Sequence, residues 1–192
     1  MNAKKLGFAL CGSFCTLERT LQTMEELAAQ GWEIQPIMSP ITYRTDTRFG
    51  TAEQWRSRVE ALCGRPIWHT IPQVEPIGPR ALLDLLLVAP CTGNTLGKLA
   101  CGITDTPVTM AVKAHLRNLR PVVLAVSTND GLGASARNIG TLLNCRNFYF
   151  VPFAQDDPLH KEASLVADLS RTQETLLAAL QGRQLQPLLL QK

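Results

Sequence analysis

Residues Leu82 to Ala89 read L-L-D-L-L-L-V-A, and this run constrains the fold more than any other part of the chain. It is too short to cross a bilayer, which takes about 20 apolar residues, and too continuously apolar to leave one face in water. A strand of this kind lies inside a parallel sheet with helices on both faces. Pro121 to Val126 repeats the pattern.

The surrounding sequence supplies the helical layers. Residues 6 to 11 form a short apolar run, and Phe14, Leu17, Leu21, Met24 and Ala28 then recur at helical spacing until Gly31. Trp32 to Met38 predicts a second strand, although Pro36 removes one ladder donor. Thr51 can cap a helix carrying Trp55, Val59 and Leu62 that ends at Cys63-Gly64, before a short strand around Ile67 to Ile71. The three prolines between Ile71 and Arg80 predict a loop. Helices follow over Thr95 to Cys101, from Pro107 to about Arg117, and over Ser135 to Leu143, with a strand at Phe148 to Val151. Leu165, Leu169, Leu176 and Leu180 predict one face of a final helix.

Strands alternating with helices require right-handed crossovers between parallel neighbours. The expected fold is therefore α/β, a Rossmann-like doubly wound parallel sheet in a single domain spanning 1–192, with 183–192 as a C-terminal tail. Leu188 to Leu190 in that tail are expected to pack on the body or on a neighbouring subunit.

Composition narrows the function. The net charge is only +3 and the Lys and Arg residues are scattered, so no stripe suits a nucleic-acid backbone. No membrane association is expected, and Met1 to Leu10 reads as a lead into a buried strand rather than a secretory signal, because Gly12 and Ser13 break the apolar part. The cysteines at 11, 15, 63, 91, 101 and 145 contain no C-x-x-C pair, which fits reduced thiols in a cytoplasm and no bound metal.

In a doubly wound sheet, ligands sit beyond the carboxyl ends of the strands, where loop amides and helix N-termini offer donors to an anion. Cys11-Gly12-Ser13 follows the first strand. Thr92, Gly93, Asn94 and Thr95 follow the central apolar strand, and Ser127 and Asn129 follow its repeat. Thr and Asn are also ordinary helix caps. The G-x-G-x-x-G fingerprint is absent and Met38-Ser39-Pro40 replaces the acidic residue a dinucleotide ribose would need, which lowers the case for NAD on this chain.

The run A-P-C-T-G-N-T-L-G-K-L-A-C-G-I-T-D from Ala89 to Asp105 resembles a segment of the FMN-binding, homo-oligomeric flavoprotein family that includes phosphopantothenoylcysteine decarboxylase. T-R-F-G at Thr47 to Gly50, E-P-I-G-P at Glu75 to Pro79, P-V-V-L-A-V-S-T-N-D at Pro121 to Asp130, Y-F-V-P-F at Tyr149 to Phe153 and the A-L-Q-G stretch from Ala179 resemble one branch of it. The resemblance covers nearly the whole chain. It implies FMN contacts at Gly12, Ser13, Ser39, Thr92 to Thr95 and Ser127. It also implies an oxidoreductase role in spore formation, in the mother-cell cytoplasm, together with a partner subunit that carries NAD(P).

The small dicarboxylate substrate implied by that branch would suit Arg48 or Arg44, whose guanidinium can hold a carboxylate through two hydrogen bonds, and Asn129. A solvated loop or a contact between subunits would equally account for the arginines. The decarboxylases carry a catalytic His in an H-I-x-L motif before the central strand. Pro76-Ile77-Gly78-Pro79 stands there in this chain, which puts cysteine decarboxylation in doubt, and His69 lies seven residues upstream. A binding or scaffold subunit without redox chemistry remains an alternative reading. Cys91 is a possible nucleophile without an evident base, and Asp130 a possible base or a helix cap.

Overall fold

The computed structural model describes residues 4–191. Met1 to Ala3 and Lys192, parts of the N-terminal and C-terminal readings above, lie outside the described residues. Strand β1 (Lys5–Leu10) is followed by a 3-10 turn (Phe14–Thr16), α1 (Leu17–Ala29), β2 (Glu33–Met38), α2 (Pro40–Arg44) and α3 (Ala52–Cys63). Two single-turn helices, α4 (Ile71–Val74) and α5 (Ile77–Arg80), lead into β3 (Leu85–Cys91), α6 (Gly93–Ala100), α7 (Pro107–Leu116) and β4 (Val122–Thr128). The chain then forms α8 (Ala134–Leu143), β5 (Phe148–Phe150), β6 (Phe153–Ala154), β7 (Leu165–Ala167), a 3-10 turn (Leu169–Arg171) and α9 (Thr172–Leu180).

The sheet runs β2-β1-β3-β4 in parallel, and β4 then has two partners along its length. Its first half, Val122 to Leu124, pairs in parallel with β5, whereas Ser127 and Thr128 pair antiparallel with β7, which carries β6 at its edge. From β1 the chain moves one way to β2, and from β3 it moves the other way to β4. With right-handed crossovers, that reversal puts α1 on one face and α6 to α8 on the other. Residues of β1, β3 and β4 are buried almost throughout, so the two apolar runs that predicted a covered parallel sheet form its centre. The Rossmann-like doubly wound class is the observed one.

Four local expectations are corrected. The segment from Ile71 to Arg80 is two helical turns rather than a loop, because Pro72 occupies a first-turn position where its missing N–H costs nothing and Gln73 closes a capping box with Thr70. The strand expected around Ile67 to Ile71 is reduced to a bridge between Ile37 and Trp68. Leu165 lies in β7 rather than at the head of the last helix, since Asp168 accepts from Ser170 N (3.2 Å) and starts the helical turn three residues later. The central strand begins at Leu85 and continues through Pro90 to Cys91.

The tail folds back onto the body. Gln184 donates to Phe150 O and accepts from Phe150 N (both 2.8 Å), and Phe153 bonds to Leu188 O and Leu190 N (both 3.0 Å). Among the described residues, no helix is long and apolar enough to cross a membrane.

Candidate functional site

The strand order places the ends of β1, β3 and β4 side by side, so the three loops singled out in the sequence meet at one edge of the sheet. After β1, Ser13 Oγ lies 2.9 Å from Ser127 Oγ, and Ser127 in turn donates to Thr16 Oγ1 at 3.5 Å. This chain of hydroxyls joins the first loop to the end of β4. After β3, Thr92 caps α6 by accepting from Thr95 N (3.3 Å), which leaves Gly93 and Asn94 in its first turn. After β4, Asp130 Oδ1 accepts from Thr128 Oγ1 and from Ser135 Oγ (2.9 Å), closing the turn that enters α8.

These loops border a cavity of about 620 Å³ lined by Gly12, Ser13, Thr92, Gly93, Asn94, Ser127 and Asn129 among others. The Thr47 to Gly50 turn contributes Arg48 and Phe49, with the Arg48 guanidinium 4.9 Å from the Phe49 ring centroid. Gly93 allows the loops to close: a Cβ there would stand 2.7 Å from each of Asp130 Oδ1, Ser135 Oγ and Thr128 Oγ1. Gly12 is similarly confined, since its Cβ would lie 2.9 Å from Ile41 Cγ2.

Three of the residues assigned from the sequence to cofactor or substrate binding do not line the cavity. Ser39 is buried and caps α2, accepting from Thr42 N (3.4 Å) and sharing a hydrogen bond with Thr42 Oγ1 (2.8 Å). Thr95 is buried and donates to Cys11 Sγ (3.3 Å), tying the first loop to the second. Arg44 is exposed at the end of α2. The positions of Lys98 and Asp105 in the Ala89 to Asp105 motif explain each other: Lys98 Nζ donates to both Asp105 oxygens at 2.8 Å, bracing the turn after α6.

The electrostatics leave few groups free. Burial pushes the Cys91 thiol well above its ordinary range and raises Cys11 to about 11, so both stay protonated, and Cys91 is fully buried instead of facing the cavity. Asp130 is held below the usual carboxylate range, first by the hydrogen bond from Thr128, with Ser135 adding to it against a burial cost. His69 stacks on Tyr43 with ring centroids 3.8 Å apart and does not border the cavity. Pro76 to Pro79 form the start of α5, where Gly78 packs close to Ala114 O.

A fifth lining segment was not legible in the sequence. Asp156, Lys161, Ser164 and Val166, between β6 and β7 and on β7, complete the wall of the cavity. Burial disfavours the charged form of Asp156, but hydrogen bonds from Ser164 and Lys161 outweigh it and hold the carboxyl below its ordinary pKa. The apolar stretch Leu165 to Ala167 followed by an Asp cap was the available signal, and the leucine spacing of the last helix concealed it.

An open parallel sheet whose reversal point carries hydroxyls, helix starts and a cavity of this size is the architecture of a nucleotide-cofactor protein. The profile of the Flavoprotein family matches residues 1–159, and the chain belongs to that family. Along its length it is 43% identical over 191 residues to the B subunit of dipicolinate synthase from Bacillus subtilis (strain 168), covering 100% of this chain and 96% of that protein. The crystal structure of the dipicolinate synthase B subunit from Bacillus halodurans C superposes with a TM-score of 0.91 at 43% identity, covering all of both chains. The FMN-dependent cysteine decarboxylase SpaF shares the fold, with a TM-score of 0.69 at 22% identity over 93% of this chain and 97% of its own.

Proposed function

We propose that this chain is the flavin-binding subunit of a dipicolinate synthase, oxidising a dihydrodipicolinate-level precursor to dipicolinate together with the enzyme's A subunit, which carries NAD(P). The observation that carries this reading is the full-length 43% identity to the B subunit from Bacillus subtilis. Membership of the Flavoprotein family and the FMN dependence of SpaF, a neighbour of the same fold, support the cofactor. In this reading the chain is a homo-oligomer working in the cytoplasm of the mother cell of a sporulating bacterium.

The residues present fit FMN. The cavity volume falls within the about 300–1,000 Å³ typical of cofactor sites. The hydroxyls of Ser13, Thr16 and Ser127 and the start of α6 offer donors to a phosphate, and the carboxylates that border the cavity are already engaged. Ser13, Ser127 and the first turn of α6 at Gly93 and Asn94 would hold the cofactor at this end of the cavity. A bound flavin would supply an acceptor for the hydride equivalent that leaves when the dihydropyridine ring becomes aromatic, the accompanying proton passing to solvent. The protein's own part is to bind and orient the dicarboxylate through Arg48 and Asn129 and to keep water from the buried side of the cavity. Reconstitution tests this: the isolated NAD(P)-carrying partner should form little dipicolinate and addition of this chain should restore synthesis, whereas full synthesis by the isolated partner overturns the reading.

A second reading, a binding subunit without redox chemistry, draws on one observation. Asp130 is held by two hydroxyls, Asp156 by Lys161 and Ser164, and the Cys11 and Cys91 thiols are buried, which leaves none of them poised as a base. Asn94→Trp separates the two readings. It should abolish flavin uptake, and synthase activity that survives this loss favours the role without redox chemistry. Cysteine decarboxylation lacks a histidine at the position occupied by Pro76 to Pro79.

A further inference from the structure

Two cationic side chains border the cavity, Arg48 and Lys161, and they arrive from loops more than a hundred residues apart in the chain. Arg48 is exposed, rests against the Phe49 ring and, among the described residues, forms no ion pair. Lys161 extends from the loop between β6 and β7, and its Nζ lies 3.2 Å from Asp156 Oδ2. With about half of the Lys161 side chain in solvent, that pair is weak and easily exchanged. Asp156 thus holds the ammonium at the cavity wall without committing it.

We propose that Lys161 is a specificity-determining residue that takes the second carboxylate of a dicarboxylate ligand while Arg48 holds the first. The inference rests on the dipicolinate synthase reading, which supplies the dicarboxylate. The local charge supports it. Arg48 and Lys161 are opposed at the cavity by Asp130 and Asp156, and Asp130 is already satisfied by Thr128 and Ser135. Removing the Lys161 charge leaves Asp156 uncompensated, so a second carboxylate would lose an attraction and meet a repulsion. A ligand with one carboxylate, held by Arg48, would lose little.

The test compares dipicolinate with picolinate, the same ring carrying one carboxylate, as calorimetric probes of the full chain with its native cofactor content. The wild-type chain should prefer dipicolinate. Lys161→Met should weaken dipicolinate binding by about fivefold and picolinate by no more than about twofold, and Lys161→Arg should keep most of the preference. An unchanged thermal transition and unchanged flavin content in each variant establish that the fold is intact. Lys161→Met that keeps the preference, or weakens both probes equally, overturns the inference, as does a wild-type chain that restores synthesis with its NAD(P)-carrying partner yet shows no preference. A wild-type chain that restores no synthesis overturns the functional reading itself, and the assignment of Lys161 with it.

Discussion

Gly93 sits where three oxygen atoms from the turn after β4 converge, and no side chain can share that space. Gly93→Ala should cost about 1–3 kcal/mol of stability through overpacking and should weaken flavin uptake, because Thr128, Asp130 and Ser135 must move apart. Urea denaturation followed by circular dichroism, beside a flavin titration, measures both effects. His115 gives a pH-dependent counterpart far from the cavity. Its Nε2 lies 3.1 Å from Pro121 O, an acceptor, so Nε2 carries the proton and Nδ1 is left buried without a partner. Burial lowers its pKa from 6.5 to about 4, against the hydrogen bond to Pro121. Between those two values the unfolded chain binds a proton that the folded chain refuses. The contribution is therefore whole above about pH 6.5 and is lost as pH falls toward 4, amounting to about 3 kcal/mol. Urea midpoints at pH 7, 5.5 and 4.5 should fall more steeply for the wild type than for His115→Gln. Equal slopes would contradict the assignment.

Helix α3 shows how local chemistry fixes an element that the site depends on. Thr51 accepts from Gln54 N (3.2 Å) and Gln54 accepts in return from Thr51 N (2.9 Å), while Gly64 ends the helix in the left-handed conformation at φ 61°. Asp46 accepts from Ala52 N (2.7 Å), anchoring the turn that carries Arg48 to the helix start. Thr51→Ala should cost about 1 kcal/mol, read as a lower midpoint in chemical denaturation. Signals of this kind, a cap residue and a glycine stop at helical spacing, were legible in the sequence because they act within one turn. The Ile71 to Arg80 segment was not, since proline forbids helix interiors but favours first turns, and only the packing of α4 and α5 against α7 decides between a loop and two turns. Leu165 misled for a related reason. Four leucines at apolar spacing cannot report that a β-strand partner, Thr128, claims the first of them.

At the scale of the molecule, the reversal of strand order between β1 and β3 produces the site, because it parts the helices of the two faces and opens a crevice over Gly12 and Gly93. Four of the five segments around that crevice were readable from the sequence: three follow continuous apolar strands, and the fourth is the turn that carries Arg48. The fifth was hidden, because Lys161 and Asp156 reach the cavity only through the antiparallel β6–β7 pair added beyond β4. The same architecture explains the inert cysteines: Cys11 and Cys91 end β1 and β3 inside the core, where burial keeps them protonated. Whether this crevice holds a flavin is tested most directly by the visible absorption spectrum of the purified full chain together with the mass of whatever heat releases from it. An oxidised-flavin spectrum and the mass of FMN are the expected result. A colourless protein that also fails to take up added FMN would contradict the flavin-binding role.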